Sequence, residues 1–449
     1  MTEVLKERVT SLPEPLPEPE RSMMAQTMVG AAMLAVIVSG APVAASQPFA
    51  HPGVFVSAPQ LAYIRTQITT PGGDADVKAA YAKALASPMG SNSYRPRGPP
   101  ASGVIECGSY SHPDHGCSDE GHDSATAYLQ ALLFALNGEP ERAAIAAKVL
   151  DMYADNIKEY NNSNAPLQAA WSAMMYTKAA ELLAHTNNSG WEKPQQARLA
   201  TMLRTVSLPL YYKGSGANGN WELSMLDAMA GLAVFTDNHT LFDHTVSFWK
   251  SRVPAYFWSG AAGDGAAPNK CPRDHSIWNS PRCNATTGSG CSGTYYGQTV
   301  LNGSTDGICQ ESCRDFGHLA MGMASSHYLA ETALIQGVDL WKEQQLRFVA
   351  ASELHAMLIL SQPAGAPSPA PAPGYFCGGF GLKLREGKTF EVGYNALHNR
   401  LGHAMPYTEK YLKSRMRKET DPSQSLIMVY ETLTNGGHPP APKPRRPGE

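Results

Sequence analysis

Blocks of helix-forming sequence follow one another along the chain and constrain its fold more than any other feature. The apolar period predicts helices at 122–137, 140–159, 166–186, 192–206, 221–235 and 238–257, each in the length range of globular helices. Short turns separate these blocks, and alternating strand patterns are nearly absent. We therefore predict an all-α fold of antiparallel helical hairpins, arranged in a ring or a solenoid. No fixed-length repeat identifies a solenoid family.

The rest of the chain alternates helices with long loops. Further helices are predicted at 58–68, 76–87, 312–336, 339–361, 393–400, 405–416 and 423–434, with a short strand-like piece at 375–392. Pro, Gly and Ser dominate a loop at 88–120, an insertion at 258–309 and a linker at 363–374. We divide the chain into a leader and signal peptide at 1–46, one helical domain at 47–435 and a disordered basic tail at 436–449.

The N-terminal segment predicts export. The apolar run Met28–Ala44 ends in small residues, as a secretory signal does, with cleavage near Ala45. A Glu- and Pro-rich leader precedes it, which favours a translation start at Met23 or Met24. A membrane anchor is the weaker interpretation, because the run is short and contains Gly and Pro. We expect a secreted protein with no membrane attachment after cleavage.

Composition excludes some classes of protein. The 449 residues are 43% hydrophobic, which is ample for a core, and the net charge of −3 gives no indication of nucleic-acid binding. Eight cysteines in an exported chain predict disulfides, and Cys107 is an available partner for Cys117. Five closely spaced cysteines indicate a stapled loop: Cys271, Cys283, Cys291, Cys309 and Cys313. Glycosylation triplets begin at Asn161, Asn187, Asn238, Asn284 and Asn302.

A polar stretch at 310–318 is the first candidate site. It runs directly into an apolar helix, and Ser312 is a candidate cap. On a helix, four side chains would share one face: Glu311, Arg314, Asp315 and His318. An acid, a fixed cation and an imidazole on such a face indicate a pocket. The alternative is an exposed, salt-bridged first turn with a structural histidine.

A second candidate lies where the helix at 221–235 begins. Asn218 and Asn220 precede Trp221 there, and amides at a helix N-terminus can bind a substrate carboxylate. A glycine turn with an asparagine cap is the alternative. The stretch 214–219 also fits G-x-G-x-x-G, but a helix rather than a core strand precedes it, which argues against a dinucleotide site.

Potential metal ligands are dense at 112–123. They are His112, His115, Cys117, Glu120, His122 and Asp123. Their spacing lacks the paired Cys or His of a structural zinc site, and Cys117 has a disulfide partner available. We predict no metal and no cofactor. His122 is expected to belong to the polar rim of a substrate cleft.

Tyr394, His398 and Arg400 form a third candidate. Tyr394 and His398 lie one helical turn apart, with Arg400 close by. Such groups can remove a proton next to a carboxylate, because Arg neutralises the acid while His or Tyr transfers protons. Core packing with polar ends is the alternative. The motifs of serine hydrolases, P-loop NTPases and zinc proteases are absent from the sequence.

Together these segments resemble the alginate lyase family of helical-toroid polysaccharide lyases. The matching segments are 51–55, 117–120, 123–128, 218–221, 310–318 and 393–402. The resemblance spans most of the mature chain and implies an incomplete (α/α) toroid with long disulfide-rich loops and a deep cleft. It also implies an anionic polysaccharide as partner and β-elimination of a uronic acid polymer as the reaction.

The resemblance assigns roles to individual residues. Asn218 or Asn220, together with Arg314, would neutralise the C6 carboxylate so that a base can remove the C5 proton. His318 would be that base or would orient it. The tyrosine that protonates the leaving O4 would be Tyr296 or Tyr394. The expected substrate-binding residues are Asn218, Trp221, Glu311, His398, Arg400 and His122.

The sequence departs from the family pattern at one point, and it leaves the substrate and the activity open. Related lyases often carry a His directly beside the amide, in an Asn-His-x-x-Trp pattern, whereas Trp221 directly follows Asn220 here and no His stands beside the amide. Mannuronate-rich alginate is the expected substrate, and glucuronan is the alternative polymer. A non-catalytic carbohydrate-binding toroid and a glycoside hydrolase also stay open. The hydrolase would use Glu222 and Glu311 as its two carboxylates.

Overall fold

Helices packed on helices form most of the regular structure. The computed structural model describes residues 47–109, 111–214, 219–266, 298, 300–364, 370–371, 373–377, 381–384, 389–418 and 430–437. Its α-helices are α1 (Ala58–Thr69), α2 (Ala75–Ala86), α3 (Cys117–Asn137), α4 (Pro140–Asn156), α5 (Ala165–His185), α6 (Lys193–Met202), α7 (Leu208–Tyr211), α8 (Gly219–Phe235), α9 (His239–Tyr256), α10 (Phe316–Ile335), α11 (Leu340–Leu360), α12 (Glu391–Tyr394), α13 (Pro406–Ser414) and α14 (Glu431–Asn435). π-helical turns span Leu203–Ser207 and Asn395–Arg400, and short 3₁₀ turns span Pro88–Gly90, Gly260–Ala262, Gly303–Thr305 and Met416–Lys418.

Local sequence signals set many helix ends. Ser57 and Gln60 form a capping box at the start of α1. The side chain of Asp339 accepts a hydrogen bond from a backbone N–H in the first turn of α11. Gly138 ends α3 in the left-handed region, with φ 75°, so that the chain reverses into α4. These turns are what allow successive helices to pack antiparallel.

The hairpins form two layers. Helices α3, α5, α8 and α10 pack side by side in chain order, while α4, α9 and α11 pack against α3, α8 and α10 respectively. Because one returning segment lies between successive inner helices, the inner helices run parallel. Two contacts between α8 and α10 show this, since Asn220 meets Met321 and Ser224 meets Ser325 at the same offset along the chain. The predicted all-α class and incomplete toroid are confirmed.

One end of the inner layer is closed by the segment at 49–56. The backbone N–H of Gly53 donates to Glu181 at 2.9 Å, near the C-terminus of α5. The N–H of Phe55 donates to the Thr332 hydroxyl at 3.0 Å, near the C-terminus of α10. Val54 and Phe55 are buried in the core. The cleft that the family resemblance implies would therefore lie at the other end, where the four inner helices begin, which we call the cleft end.

A buried ion pair lies between the inner helices. Lys178 on α5 donates to Asp227 on α8 at 2.9 Å, and both side chains are almost fully buried. The Lys178 ammonium also lies 5.1 Å from the ring centroid of Tyr328 on α10. These contacts join α5, α8 and α10 in the interior of the inner layer. None of the described helices is long and apolar enough to cross a membrane.

A small sheet lies in regions predicted to be loop or helix. Strand β1 (Val104–Cys107) pairs antiparallel with β2 (Asp114–His115) and parallel with β3 (Glu159–Asn161), in the order β2-β1-β3. The prediction that 88–120 is entirely loop and that a helix runs to residue 159 is thus wrong. Strands this short carry too few residues for a period to show. The pairing of β3 with β1 joins residues 55 positions apart along the chain, such as Val104 and Glu159.

The C-terminal region differs from its prediction in detail. The predicted strand-like piece is mainly irregular where the structure describes it, with one β-bridge between Ala370 and Leu382. The helix predicted at 393–400 is α12 followed by a π-helical turn. Of the helix predicted at 423–434, the described part is α14 with its preceding residue.

Candidate active site

Helix α10 begins at Phe316 rather than at 312, and this changes the local geometry of the 310–318 stretch. Its cap is Asp315, whose carboxylate accepts the backbone N–H of His318 at 2.9 Å. The predicted cap, Ser312, instead lies 2.7 Å from Nε2 of His355 on α11. Glu311 and Arg314 therefore belong to the turn before the helix. The four side chains therefore do not share one helix face as predicted. Glu311 and Arg314 lie in the turn before α10, Asp315 caps the helix, and His318 lies in its first turn.

Glu311 and Arg314 form a partly buried ion pair. The Arg314 guanidinium lies 3.3 Å from both carboxylate oxygens of Glu311. The Glu311 side chain is 0% exposed, whereas that of Arg314 is 13% exposed. The sequence predicts that Glu311 binds substrate, but solvent does not reach it. Its position allows it to orient Arg314, which remains partly accessible.

Asp315 and His318 form a second pair on the same stretch. Nδ1 of His318 lies 2.6 Å from Oδ2 of Asp315. Burial disfavours the charged form of Asp315, but hydrogen bonds from the His318 side chain and backbone, with the charges of His318 and Arg314, lower its pKa to about 2. The His318 side chain is 19% exposed, so its ring reaches the surface of the cleft end.

The start of α8 adjoins this stretch. The backbone N–H of Gly219 donates to the side-chain oxygen of Gln310 at 3.2 Å. Asn220 lies beside Met321, one helical turn beyond His318 on α10, with Nδ2 3.7 Å from the Met321 sulfur. The side-chain oxygen of Asn220 and the side-chain nitrogen of Gln310 are buried and have no hydrogen-bond partner in the described chain.

Two amide atoms without a hydrogen-bond partner among the described residues, Oδ1 of Asn220 and Nε2 of Gln310, thus lie near the ion pairs of the 310–318 stretch. A buried amide normally finds a partner, so these atoms are available to a polar ligand or to water. The N-termini of α8 and α10 add positive helix dipoles at the same end. Trp221, predicted to bind substrate, is half-buried and packs against the core.

Disulfides hold two parts of this end. Cys313, between Glu311 and Arg314, is bonded to Cys377. Cys107 is bonded to Cys117 at the start of α3, as its position in the sequence allows. Cys309 is buried and free. The stapled-loop prediction for Cys271, Cys283 and Cys291 lies outside the described residues.

Tyr394 and His398 contact each other and residues other than those of this cluster. Their rings stack at 4.7 Å, and Nδ1 of His398 lies 2.7 Å from the backbone oxygen of His403. Burial raises the pKa of Tyr394 to about 12, and the charges acting on its hydroxyl come from Glu409, Arg417, Glu391 and Glu353. Those residues belong to α11, α12, α13 and the turn after α13. The described contacts do not bring Tyr394 together with His318.

Arg400 has a structural partner. Its guanidinium donates to both oxygens of Glu331 on α10, at 2.8 and 2.6 Å. Glu331 also accepts from the indole of Trp341. The sequence predicts that Arg400 binds substrate, but this buried two-point pair ties the turn after α12 to α10 and α11 instead.

The histidine- and acid-rich stretch at 112–123 contains residues with structural hydrogen bonds. His122 lies at the cleft end of α3, with Nδ1 2.6 Å from the backbone oxygen of Ser118. Its neighbour Asp123 is buried and holds the 94–98 segment through the hydroxyl of Tyr94 and the backbone N–H of Gly98. His122 is half-exposed, and its place on the rim of a substrate cleft stays a prediction.

A different set of potential metal ligands lies at the closed end. Nδ1 of His51 is 2.9 Å from Glu181, and His185 is 3.7 Å from the same carboxylate. The two imidazole rings are stacked, with centroids 4.5 Å apart and planes at 12°. Because a metal ion lies in the plane of each imidazole that binds it, two stacked rings cannot share one ion. We interpret the cluster as the anchor of the 49–56 segment.

Two predicted residues, Asn218 and Tyr296, lie outside the described residues. The sequence analysis does not predict two contacts near the site. One is the contact of Gln310 with Gly219, and the other is the contact of Asp315 with the His318 ring. The i, i+3 spacing of Asp315 and His318 is a sequence signal for the second of these. The contact between Gln310 and Gly219 joins residues 91 positions apart, so no local sequence pattern can predict it.

Comparisons with solved structures agree with this architecture. The crystal structure of alginate lyase A1-III from Sphingomonas species A1 matches with a TM-score of 0.50 and 15% identity, covering 86% of this chain and 97% of that one. An alginate lyase from Bacteroides ovatus matches with a TM-score of 0.48 and 12% identity, covering 86% and 100%. A variant of A1-III complexed with tetrasaccharide matches with a TM-score of 0.47 and 17% identity, covering 78% and 88%.

Searches at the level of sequence give no match. No family model and no curated protein matches this chain. At 15% identity, the similarity to A1-III concerns the arrangement of the helices and not individual residues. This chain has the helical-toroid fold of the alginate lyases.

Proposed function

We propose that this protein is a polysaccharide lyase that cleaves a uronic acid polymer by β-elimination. The observation that carries the proposal is that the start of α8, which holds Asn220, adjoins the 310–318 stretch, which holds Arg314 and His318, through the contacts of Gly219 with Gln310 and of Asn220 with Met321. An amide, a cation and an imidazole at one end of a helical toroid are the groups that this reaction requires. The fold of A1-III, a protein described as an alginate lyase, supports the same proposal.

Each group has a defined task in the proposed reaction. Arg314 and the amide of Asn220 bind the C6 carboxylate and stabilise the charge that develops when C5 loses its proton. His318 removes the C5 proton or orients the group that does so. A tyrosine, for which Tyr296 and Tyr394 remain the candidates, donates a proton to O4. The C4–O4 bond then breaks, leaving a C4–C5 double bond on one product.

Alginate rich in mannuronate is the substrate we propose, and glucuronan is the alternative. Both polymers present a carboxylate on every sugar, which suits a site with a cation and helix N-termini. The names of the solved alginate lyases favour alginate, and the tetrasaccharide complex of one of them supports an oligosaccharide ligand. We also propose secretion, because the two described disulfides are typical of an oxidising compartment.

The geometry favours a lyase over a glycoside hydrolase. A hydrolase needs a carboxylic acid that protonates the leaving group and a second free carboxylate. Glu222 is buried in an ion pair with Arg252 of α9, and Glu311 is buried in its pair with Arg314. A carboxylate that neutralises a buried guanidinium is not available as a proton donor. The two acids required by the hydrolase alternative are therefore occupied.

The test uses the absorbance of the product. Each elimination creates an unsaturated uronate that absorbs in the near ultraviolet, so purified protein is incubated separately with polymannuronate, polyguluronate and glucuronan. We expect absorbance to rise with at least one polymer. Binding of a polymer without any rise would support the non-catalytic toroid, and saturated reducing ends would support the hydrolase.

A further inference from the structure

Asp315 contacts His318 through both of its carboxylate oxygens. Oδ1 accepts the backbone N–H of His318 at 2.9 Å, which caps α10, and Oδ2 lies 2.6 Å from the Nδ1 atom of the imidazole. The Asp315 side chain is 17% exposed. A carboxylate that only capped the helix would need one oxygen for the task. The second oxygen makes a separate contact with the imidazole ring.

This contact determines which ring nitrogen carries the proton. An ionised carboxylate accepts hydrogen bonds and cannot donate them, so the proton in the bond between Oδ2 and the ring must be on Nδ1. A neutral imidazole has one protonated nitrogen, which leaves the Nε2 lone pair of His318 unprotonated. Nε2 has no hydrogen-bond partner within the described part of the chain. It is the atom of His318 that can accept a proton.

We propose that Asp315 is a positioning residue that holds His318 with Nδ1 protonated and Nε2 facing the cleft, so that His318 itself removes the C5 proton. This inference rests on the proposed lyase function and assigns the base within it. The C–H electron pair becomes the C4–C5 double bond as O4 leaves, and the C5 proton moves to Nε2. The imidazolium so formed faces the Asp315 carboxylate, which stabilises it without taking its proton.

The proposal also accounts for the missing histidine beside Asn220. An imidazole next to the amide on α8 would approach the sugar from that helix. His318 lies on the neighbouring helix, one turn, about 5.4 Å, from the level of the Asn220 contact. Because α8 and α10 run parallel and in register, the amide and the imidazole still reach the same end of the toroid.

The decisive variant is Asp315→Asn. Asparagine caps helices as well as aspartate does, so α10 should keep its start. Its amide nitrogen donates and cannot accept, so the imidazole must accept at Nδ1 and carry its proton on Nε2. We expect kcat to fall by at least about 100-fold while KM stays within a few-fold. Asp315→Ser, which keeps a capping oxygen but not the second contact, should show the same loss.

A matched control separates positioning from capping. Asp339 caps α11 in the same manner, accepting the N–H of Lys342 at 3.0 Å, with no imidazole involved. Asp339→Asn should leave kcat and KM unchanged. If Asp315→Asn and Asp339→Asn behaved alike, the positioning role would be overturned.

Nitrogen NMR of ¹⁵N-histidine-labelled protein reads the tautomer directly and needs no substrate. The His318 signals are assigned by their loss in His318→Gln. We expect a protonated Nδ1 in the wild type and a protonated Nε2 in Asp315→Asn. An unchanged tautomer would overturn the proposal whatever the kinetics. Failure of the wild type to cleave any polymer would instead overturn the lyase function, so the two failures are distinguishable.

Discussion

Arg314 owes its orientation to a carboxylate that solvent does not reach. Glu311 is 0% exposed and lies 3.3 Å from the guanidinium through both oxygens. Removing one partner of a buried ion pair costs about 3–5 kcal/mol, because the other charge loses its compensation. Loss of activity on substitution of Arg314 could therefore reflect either a lost substrate contact or a destabilised turn, and an experiment must separate them.

Arg314→Ala should lower kcat/KM by at least about 100-fold and also lower the free energy of unfolding. The double variant Glu311→Gln/Arg314→Gln removes both charges, so it should recover stability but not activity. Thermal melting and the ultraviolet assay measure the two quantities. Arg204→Ala, at an exposed arginine of the outer layer, is the control and should change neither. Recovery of activity in the double variant would mean that Arg314 does not contact the substrate.

Tyr394 is the described candidate for the acid that protonates O4. Its pKa of about 12 keeps the hydroxyl protonated at neutral pH, but the charges that act on it come from the outer helices and α12. We therefore expect Tyr394→Phe to retain kcat within a few-fold, whereas Tyr296→Phe should lose at least about 100-fold. Steady-state kinetics of the two variants on the cleaved polymer decide the matter. A large loss in Tyr394→Phe alone would assign the acid to Tyr394.

At the scale of elements, the turn before α10 depends on a covalent link. Cys313 lies within the turn that carries Glu311 and Arg314, and its disulfide to Cys377 closes a loop of 64 residues. The Cys107–Cys117 disulfide closes a loop of 10 residues next to the small sheet. The longer loop restricts the unfolded chain more, and its bond also supports the candidate site.

Replacing Cys313 and Cys377 by alanine should lower the free energy of unfolding by about 4 kcal/mol, against about 3 kcal/mol for the Cys107/Cys117 pair. We also expect kcat/KM to fall further in the first variant, because the arginine turn loses its tether. Chemical denaturation and the ultraviolet assay test both statements. Equal activity in the two variants would show that the turn is held by its ion pairs and hydrogen bonds alone.

Much of the helical framework can be predicted from the sequence, because long periodic segments bury one face. The sequence predicts α5 at 166–186 and α11 at 339–361, and the two helices lie at Ala165–His185 and Leu340–Leu360. The start of α10 cannot be placed in this way, since Ser312 and Asp315 are both capping residues before the same apolar run. Ser312 does not cap the helix, because its hydroxyl contacts His355, which lies 43 positions later in the chain.

The site is predictable only within local stretches. The charged side chains at 310–318 pair at i, i+3 spacing, as short-range patterns allow. That α8 and α10 adjoin, and that Arg400 pairs with Glu331 rather than facing a substrate, follows from the order of helices in the inner layer. Such contacts depend on how the hairpins pack against one another, so they cannot be predicted from the sequence of any single segment.

At the scale of the whole molecule, buried carboxyl groups join the helices and set the pH dependence of stability. Glu120 of α3 accepts from Tyr160 of β3 at 2.5 Å and from Gln168 of α5 at 2.8 Å. Burial raises its pKa to about 7, and the hydrogen bonds only partly oppose this. Glu431 of α14, buried against Tyr328 of α10, also has its pKa raised by burial to about 7.

Between pH 4.5 and about 7 the folded protein holds a proton on Glu120 that the unfolded chain releases. The free energy of unfolding should therefore fall as pH rises through this window, by about 3 kcal/mol for Glu120. The lowered pKa of Asp315 contributes to the free energy of unfolding with the opposite sign, but this contribution is lost only as pH falls below about 4.

Glu120→Gln mimics the protonated acid, because the Gln168 amide can rotate to place its oxygen toward the new amide. This variant should reduce the slope between pH 5 and 7, measured by urea denaturation at each pH, and leave the share that Glu431 contributes. Glu141→Gln, at an exposed position on α4, should leave the slope unchanged. A slope as steep as that of the wild type in Glu120→Gln would mean that Glu120 is charged throughout this range, with its burial cost met by hydrogen bonds from Tyr160, Gln168 and Tyr176.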